Sequence, residues 1–94
     1  MKSAYELAME RLEKTAPTVP LTDDQKRMIA EIDSIYTARI AEKELFLRGQ
    51  IRAARGKGSF DEAGTLEQQL ATERRRLRED CETKKEKLRA SFAS

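Results

Sequence analysis

A dense run of arginines and lysines near the C-terminal end is the part of the sequence whose side chains are best suited to a chemical role. Such side chains can each neutralise a phosphate, which is the chemistry of nucleic-acid binding. Successive helical residues point about 100° apart, so adjacent arginines spread around the axis instead of forming one patch. The candidate phosphate contacts are Arg74, Arg75, Arg76, Arg78, Lys84 and Lys85.

Acidic residues accompany this basic run along its whole length. From position 60 to position 94 the chain has eight basic and eight acidic residues, a net charge of zero. Aromatic side chains, which stack on exposed bases, make up only 5% of the sequence. We therefore predict a solvated, salt-bridged face and keep a nucleic-acid-associated protein as the alternative function.

Catalytic and metal-binding side chains are scarce. The sequence has no His and one Cys, which excludes an imidazole triad, a nitrogen-rich metal site and an internal disulfide. We expect Cys81 to lie on an apolar helix face as a small hydrophobe, with an inter-subunit disulfide as the alternative. The glycines of residues 56–59 lack the phosphate-loop spacing. We therefore expect no enzyme activity, no cofactor and no metal.

The composition is typical of long helices. Of the 94 residues, 38% are charged and 38% hydrophobic, with a net charge of +2, and Ala, Glu, Lys, Arg and Leu predominate. We therefore predict an all-α protein. No apolar stretch is long enough to cross a bilayer, and acidic residues occupy the place of a signal-peptide core, so we expect a cytoplasmic protein without membrane contact.

The chain divides into a short N-terminal helix, a linker and a long helical hairpin. The helix is predicted within residues 1–14, and the linker at 15–22 contains two prolines, which disfavour helix in the preceding residues. The hairpin occupies 23–94, with helices over 23–55 and about 60–92 and a turn at 56–59 that begins with Gly56 as a left-handed cap. Capping-box spacing marks three helix starts: Ser3 with Glu6, Thr22 with Gln25, and Ser59 with Glu62.

The start of the last predicted helix resembles the second-helix start of the UVR module of excision-repair proteins, in which a Phe-Glu-x-Ala run opens the helix. In this sequence Asp61 is inserted into that pattern. The resemblance implies a helical hairpin turn and nothing about repair. The residues that carry it are Gly58, Phe60, Glu62, Ala63 and Leu66.

Both long helices carry an apolar stripe with an 11-residue period. Ile29, Ile40 and Ile51 show this spacing in the first helix, and Leu66, Leu77 and Leu88 show it in the second. An 11-residue period favours nearly straight helices. Two such helices joined by a short turn should pack antiparallel along their length. A turn centred between positions 57 and 58 would place Lys43 near Glu73 and Lys84 near Glu31, which predicts cross-helix ion pairs.

The first long helix has a second apolar row beside its main stripe. We expect the N-terminal helix to cover part of this row and a second chain to cover the rest, because a two-helix core of this size buries little apolar area. The predicted function is a helical interaction module that forms a homo-dimer or higher homo-oligomer, as a four-helix or larger bundle. A monomeric three-helix bundle and a different protein partner remain alternatives. The predicted interaction residues are Met28, Ile35, Leu45, Phe46, Tyr5 and Leu12.

Overall fold

A computed structural model of the chain describes residues 3–7 and 20–93. Residues 4–7 are helical and belong to a short N-terminal helix, α1. Two long helices follow, α2 over Asp23–Gly56 and α3 over Phe60–Ala93, and they pack against each other. Every regular element of the described residues is a helix, so the all-α prediction is confirmed. Leu12 and most of the predicted linker lie outside the described residues.

The start of α2 is fixed by the capping box that the sequence predicts. The backbone N–H of Gln25 donates to the Thr22 hydroxyl at 3.1 Å, and the Thr22 N–H donates to the Gln25 side-chain oxygen at 2.9 Å. Asp23 and Asp24 follow in the first turn, where the helix dipole favours negative charge. At α1 the Glu6 N–H donates to the Ser3 hydroxyl at 3.2 Å, so this cap is also present.

The turn between α2 and α3 differs in detail from the prediction. Gly56 is the last residue of α2, and the left-handed residue is Gly58, with a φ of 78°. Lys57 keeps a right-handed conformation, and its N–H donates to the Ala53 and Ala54 carbonyls at 3.2 Å. The helical hydrogen bonds thus continue past Gly56, which moves the reversal of the chain to the second glycine.

The predicted capping box at the start of α3 is not formed within the described hairpin. The N–H of Ala63 donates to the Ser59 carbonyl at 3.0 Å, and the Phe60 N–H donates to the Gly58 carbonyl at 3.0 Å. The Ser59 N–H donates back to Ala54 at 2.9 Å. The Ala54 carbonyl therefore accepts the hydrogen bond from the Ser59 N–H that the Glu62 side chain was predicted to accept.

The core is a single layer of side chains between α2 and α3. Small residues, Ala54 and Ala63, are buried next to the turn, and Leu47 is the most completely buried large side chain, with 2% of its surface exposed. Tyr36 and Cys81 are buried nearer the open end. The apolar stripes therefore face each other as predicted for an antiparallel hairpin. The continuous cluster beside the turn consists of Leu47, Ile51, Ala54, Ala63 and Leu70, with Leu66 packed against it.

Candidate interaction surface

The side of α2 that does not face α3 carries a line of exposed apolar side chains. Met28 is 45% exposed, Ile35 is 50% exposed and Phe46 is 64% exposed. With about 100° per residue, these three side chains lie within about 20° of one another around the helix axis. They lie about 100° away from Leu47 and the buried stripe. We call Met28, Ile35 and Phe46 the outer row.

Two other predicted interaction residues do not belong to the outer row. Leu45 is 79% exposed, but its side chain points about 100° away from that of Phe46. Tyr5 in α1 is 73% exposed. Because Met28 and Ile35 also remain about half exposed, the described residues of α1 do not cover the outer row.

The flank of α2 opposite the outer row is polar, and cross-helix ion pairs join it to α3. Asp33 Oδ1 lies 2.9 Å from Lys85 Nζ, and Glu44 Oε1 lies 3.0 Å from Arg74 Nε. The residues that α2 contributes to these ion pairs recur every 11 residues and lie about 150° around the helix from the outer row. We call these pairs the polar ladder: Asp33 with Lys85, Glu44 with Arg74, and Arg55 with Glu67.

The pair at the open end of the ladder is a small hydrogen-bonded network. Lys85 Nζ also lies 2.9 Å from Glu82 Oε1, and the Cys81 thiol donates to Asp33 Oδ1 at 3.6 Å. The hydrogen bond from Lys85 lowers the pKa of Asp33 below its ordinary value. Burial raises the pKa of the Cys81 thiol, so this sulfur stays protonated and is a weak nucleophile.

The ion pairs predicted from a turn centred at positions 57 and 58 are wrong. The ammonium group of Lys84 lies over the Tyr36 ring, 5.9 Å from its centroid, instead of beside Glu31. Glu73 pairs with Arg76 within α3, at 3.8 Å, instead of with Lys43. The pairs of the polar ladder take the place of both predicted contacts.

Most of the candidate phosphate contacts are engaged by the chain itself. Arg74 and Lys85 belong to the polar ladder, and Arg76 pairs with an acidic neighbour in α3. Arg75 and Arg78 are exposed neighbours one turn apart, and they line one open surface with Arg74 and Glu79. The six basic residues therefore do not form one free basic patch.

An open groove of about 560 Å³ lies beside Cys81. Its acidic members, Asp33 and Glu82, both pair with Lys85. The groove does not bring together a free base and a reactive nucleophile. The described residues contain no group of three metal-binding side chains, and none of their helices is long and apolar enough to cross a membrane. The groove is lined by Asp33, Tyr36, Thr37, Ile40, Arg78, Cys81 and Glu82.

The outer row is thus the surface that combines large apolar side chains, a common direction and exposure. Comparisons of the chain with protein-family models, curated proteins and solved structures found no match. The resemblance to the UVR module therefore extends no further than the hairpin turn that the structure shows. The class that the fold and this surface define is an extended helical hairpin with exposed apolar residues.

Proposed function

We propose that this chain is a non-enzymatic helical interaction module that self-associates through the outer row of α2. The observation that carries the proposal is the exposure of Met28, Ile35 and Phe46 along one line of a regular helix. With a rise of about 1.5 Å per residue, the row extends over about 27 Å. Aligned apolar side chains of this size mark contact sites more often than scattered ones do.

The surface area of the chain supports the same proposal. The structure exposes 7742 Å², whereas a compact monomer of 10.8 kDa exposes about 5,500 Å². The excess of about 2,200 Å² is larger than the roughly 800 Å² that each partner buries in a standard interface. An elongated hairpin therefore has ample surface to bury against another chain.

The direction of the outer row favours a bundle. Because the row lies about 100° around α2 from the side that faces α3, an added helix would lie beside the hairpin and leave its core intact. Two hairpins joined in this way form a four-helix bundle. A helix of a different protein could fit the same row and is the alternative partner. The cytoplasmic location stays a prediction.

Sedimentation equilibrium at micromolar protein concentration tests the proposal. We expect the wild-type chain to sediment as a dimer or larger and the Phe46→Glu variant to sediment as a monomer, since a carboxylate in the contact is costly to desolvate. Leu45→Glu is the matched control, because Leu45 is next in sequence and exposed but lies off the row. Circular dichroism should show equal helix content in all three proteins.

A wild-type chain that is monomeric at every concentration tested would contradict self-association. Equal weakening by Leu45→Glu and Phe46→Glu would mean that the outer row is not the contact surface. Either result would also exclude the four-helix bundle built on α2.

A further inference from the structure

We infer that the outer row binds the same row of a second copy, with the two α2 helices antiparallel and Arg39 of each chain opposite the partner's Glu42. This inference rests on the proposed self-association and specifies its geometry. It makes the contact two-fold symmetric, so the same residues serve both chains.

A series of residues with heptad spacing can be followed along the outer face of α2, with apolar side chains toward its two ends and two charged side chains at its centre. Alternating steps of four and three residues place one side chain per step on this face, which is the spacing of a two-helix coiled coil. Its first, third and sixth members are the outer row. The complete series is Met28, Ile32, Ile35, Arg39, Glu42, Phe46, Gly49 and Ala53.

The two central members of this series determine the orientation of the partner. Arg39 and Glu42 are both exposed and lie between Ile35 and Phe46. In a parallel pair each position faces its own copy, so Arg39 would meet arginine and Glu42 would meet glutamate. In an antiparallel pair the two kinds of position face each other, so each Arg39 meets a glutamate. Opposite charges therefore favour the antiparallel arrangement.

The same alignment brings the uncharged members of the series opposite one another. With Arg39 opposite the partner's Glu42, Ile35 lies opposite the partner's Phe46, and Ile32 lies opposite the partner's Gly49. An added Cβ at Gly49 would have no atom within 4 Å, so the space beside this glycine is open. The contact is centred between positions 40 and 41, close to the middle of α2, and the two helices overlap along nearly their whole length.

A shift of the partner by seven residues removes both the pairing of opposite charges and the pairing of apolar side chains. It would place Ile35 opposite the partner's Arg39 and Ile32 opposite the partner's Glu42. Charged groups would then be desolvated against apolar side chains without a partner, which is unfavourable. The central charges thus select one register as well as one orientation.

Charge reversal at the two central positions tests the inference. Arg39→Glu places glutamate opposite the partner's Glu42 in both of the symmetry-related central pairs, and Glu42→Arg places arginine opposite the partner's Arg39 in both. We expect each single variant to dimerise about tenfold more weakly than the wild type. An equimolar mixture of the two variants restores opposite charges at both sites and should recover dimers of near wild-type affinity. The double variant Arg39→Glu/Glu42→Arg should also dimerise.

Mixing serves as the internal control, because each chain keeps any loss that its own substitution causes. Arg39→Glu removes the guanidinium that lies 5.0 Å from the Tyr36 ring centroid, and that loss is the same alone and in the mixture. Sedimentation equilibrium of the singles, the mixture and the double variant measures the association. A mixture no more dimeric than the single variants would overturn the antiparallel register while leaving the outer row as the contact. A monomeric wild type would overturn the proposed function itself.

Discussion

At the scale of single residues, Asp33 is a carboxylate of α2 that contacts two side chains of α3. Its Oδ1 accepts from Lys85 and from the Cys81 thiol, so one side chain of α2 holds two of α3. Lys85 stays charged across the ordinary pH range because Asp33 and Glu82 raise its pKa. Because Lys85 keeps its charge on acidification, protonation of the Asp33 carboxylate is the event that ends this cross-helix ion pair.

We predict that Asp33 makes the stability of the hairpin depend on pH in the acid range. Its pKa is lowered in the folded state, so the folded state binds fewer protons than the unfolded state. The stabilisation is present above the ordinary aspartate pKa of about 3.9 and is lost as pH falls through the folded value. The Tm of Asp33→Asn should lie below that of the wild type near pH 6, and the gap should narrow from about pH 5 to about pH 2.

Thermal melts followed by circular dichroism measure this gap. Asp80→Asn is the matched control, since Asp80 is exposed in α3 and makes no ion pair within the described residues. The control should show little difference from the wild type at either pH. A gap between Asp33→Asn and the wild type that stays constant with pH would mean that Asp33 contributes by something other than its charge.

At the scale of elements, the boundaries of the long helices could be predicted from sequence to within one residue. Capping at Thr22 and the two glycines of the turn are local signals, and local signals are readable without knowledge of the packing. The exact turn geometry could not be read in this way. Either glycine could adopt the left-handed conformation, and the structure places it at Gly58.

The register of the hairpin could be predicted only approximately. A turn centred at positions 57 and 58 would place residue 71 opposite Glu44, but the ion pair joins Glu44 to Arg74, three positions further along α3. Each helical side chain leans toward the N-terminus of its own helix, by about one position. In this antiparallel pair the α2 side chains lean away from the turn and the α3 side chains lean toward it. Each α2 residue therefore contacts an α3 residue that lies further from the turn than a count of backbone positions indicates.

We predict that the two neighbouring leucines of α2 differ sharply in their contribution to stability. Leu47 is 2% exposed in the core, whereas Leu45 is 79% exposed. Leu47→Ala should lower the free energy of unfolding by about 2–5 kcal/mol through lost burial and the cavity left behind. Leu45→Ala should change it by less than about 0.5 kcal/mol. Urea denaturation at one fixed protein concentration compares them, and equal losses would contradict the assignment of the core stripe.

At the scale of the whole molecule, the two flanks of the hairpin have opposite character. The polar ladder joins α2 to α3 on one flank, and the outer row leaves apolar side chains exposed on the other. The sequence reveals the exposed apolar positions Met28, Ile35 and Phe46. Helical spacing alone also places Leu45 about 100° away from Phe46. The exposed fraction of each side chain could not be predicted in this way, because it depends on the position of α3.

The balance between acidic and basic residues is also a property of the whole molecule. The basic residues of α3 are matched by acidic ones in sequence, and the structure pairs several of them directly. Cations held by carboxylates release few counterions from a nucleic acid, so such a surface attracts phosphates weakly. Exposed apolar area, rather than net charge, is therefore the property of the whole hairpin that favours association.

We predict that the Tm of the wild-type chain rises with protein concentration. When a folded dimer unfolds to separate chains, mass action favours the folded form at higher concentration. A hundredfold increase should raise the Tm by roughly 5 °C for a chain of this size. Phe46→Glu should melt at one temperature throughout, because its hairpin unfolds as a monomer. Differential scanning calorimetry measures both proteins, and a wild-type Tm that does not change with concentration would show that the chain folds alone.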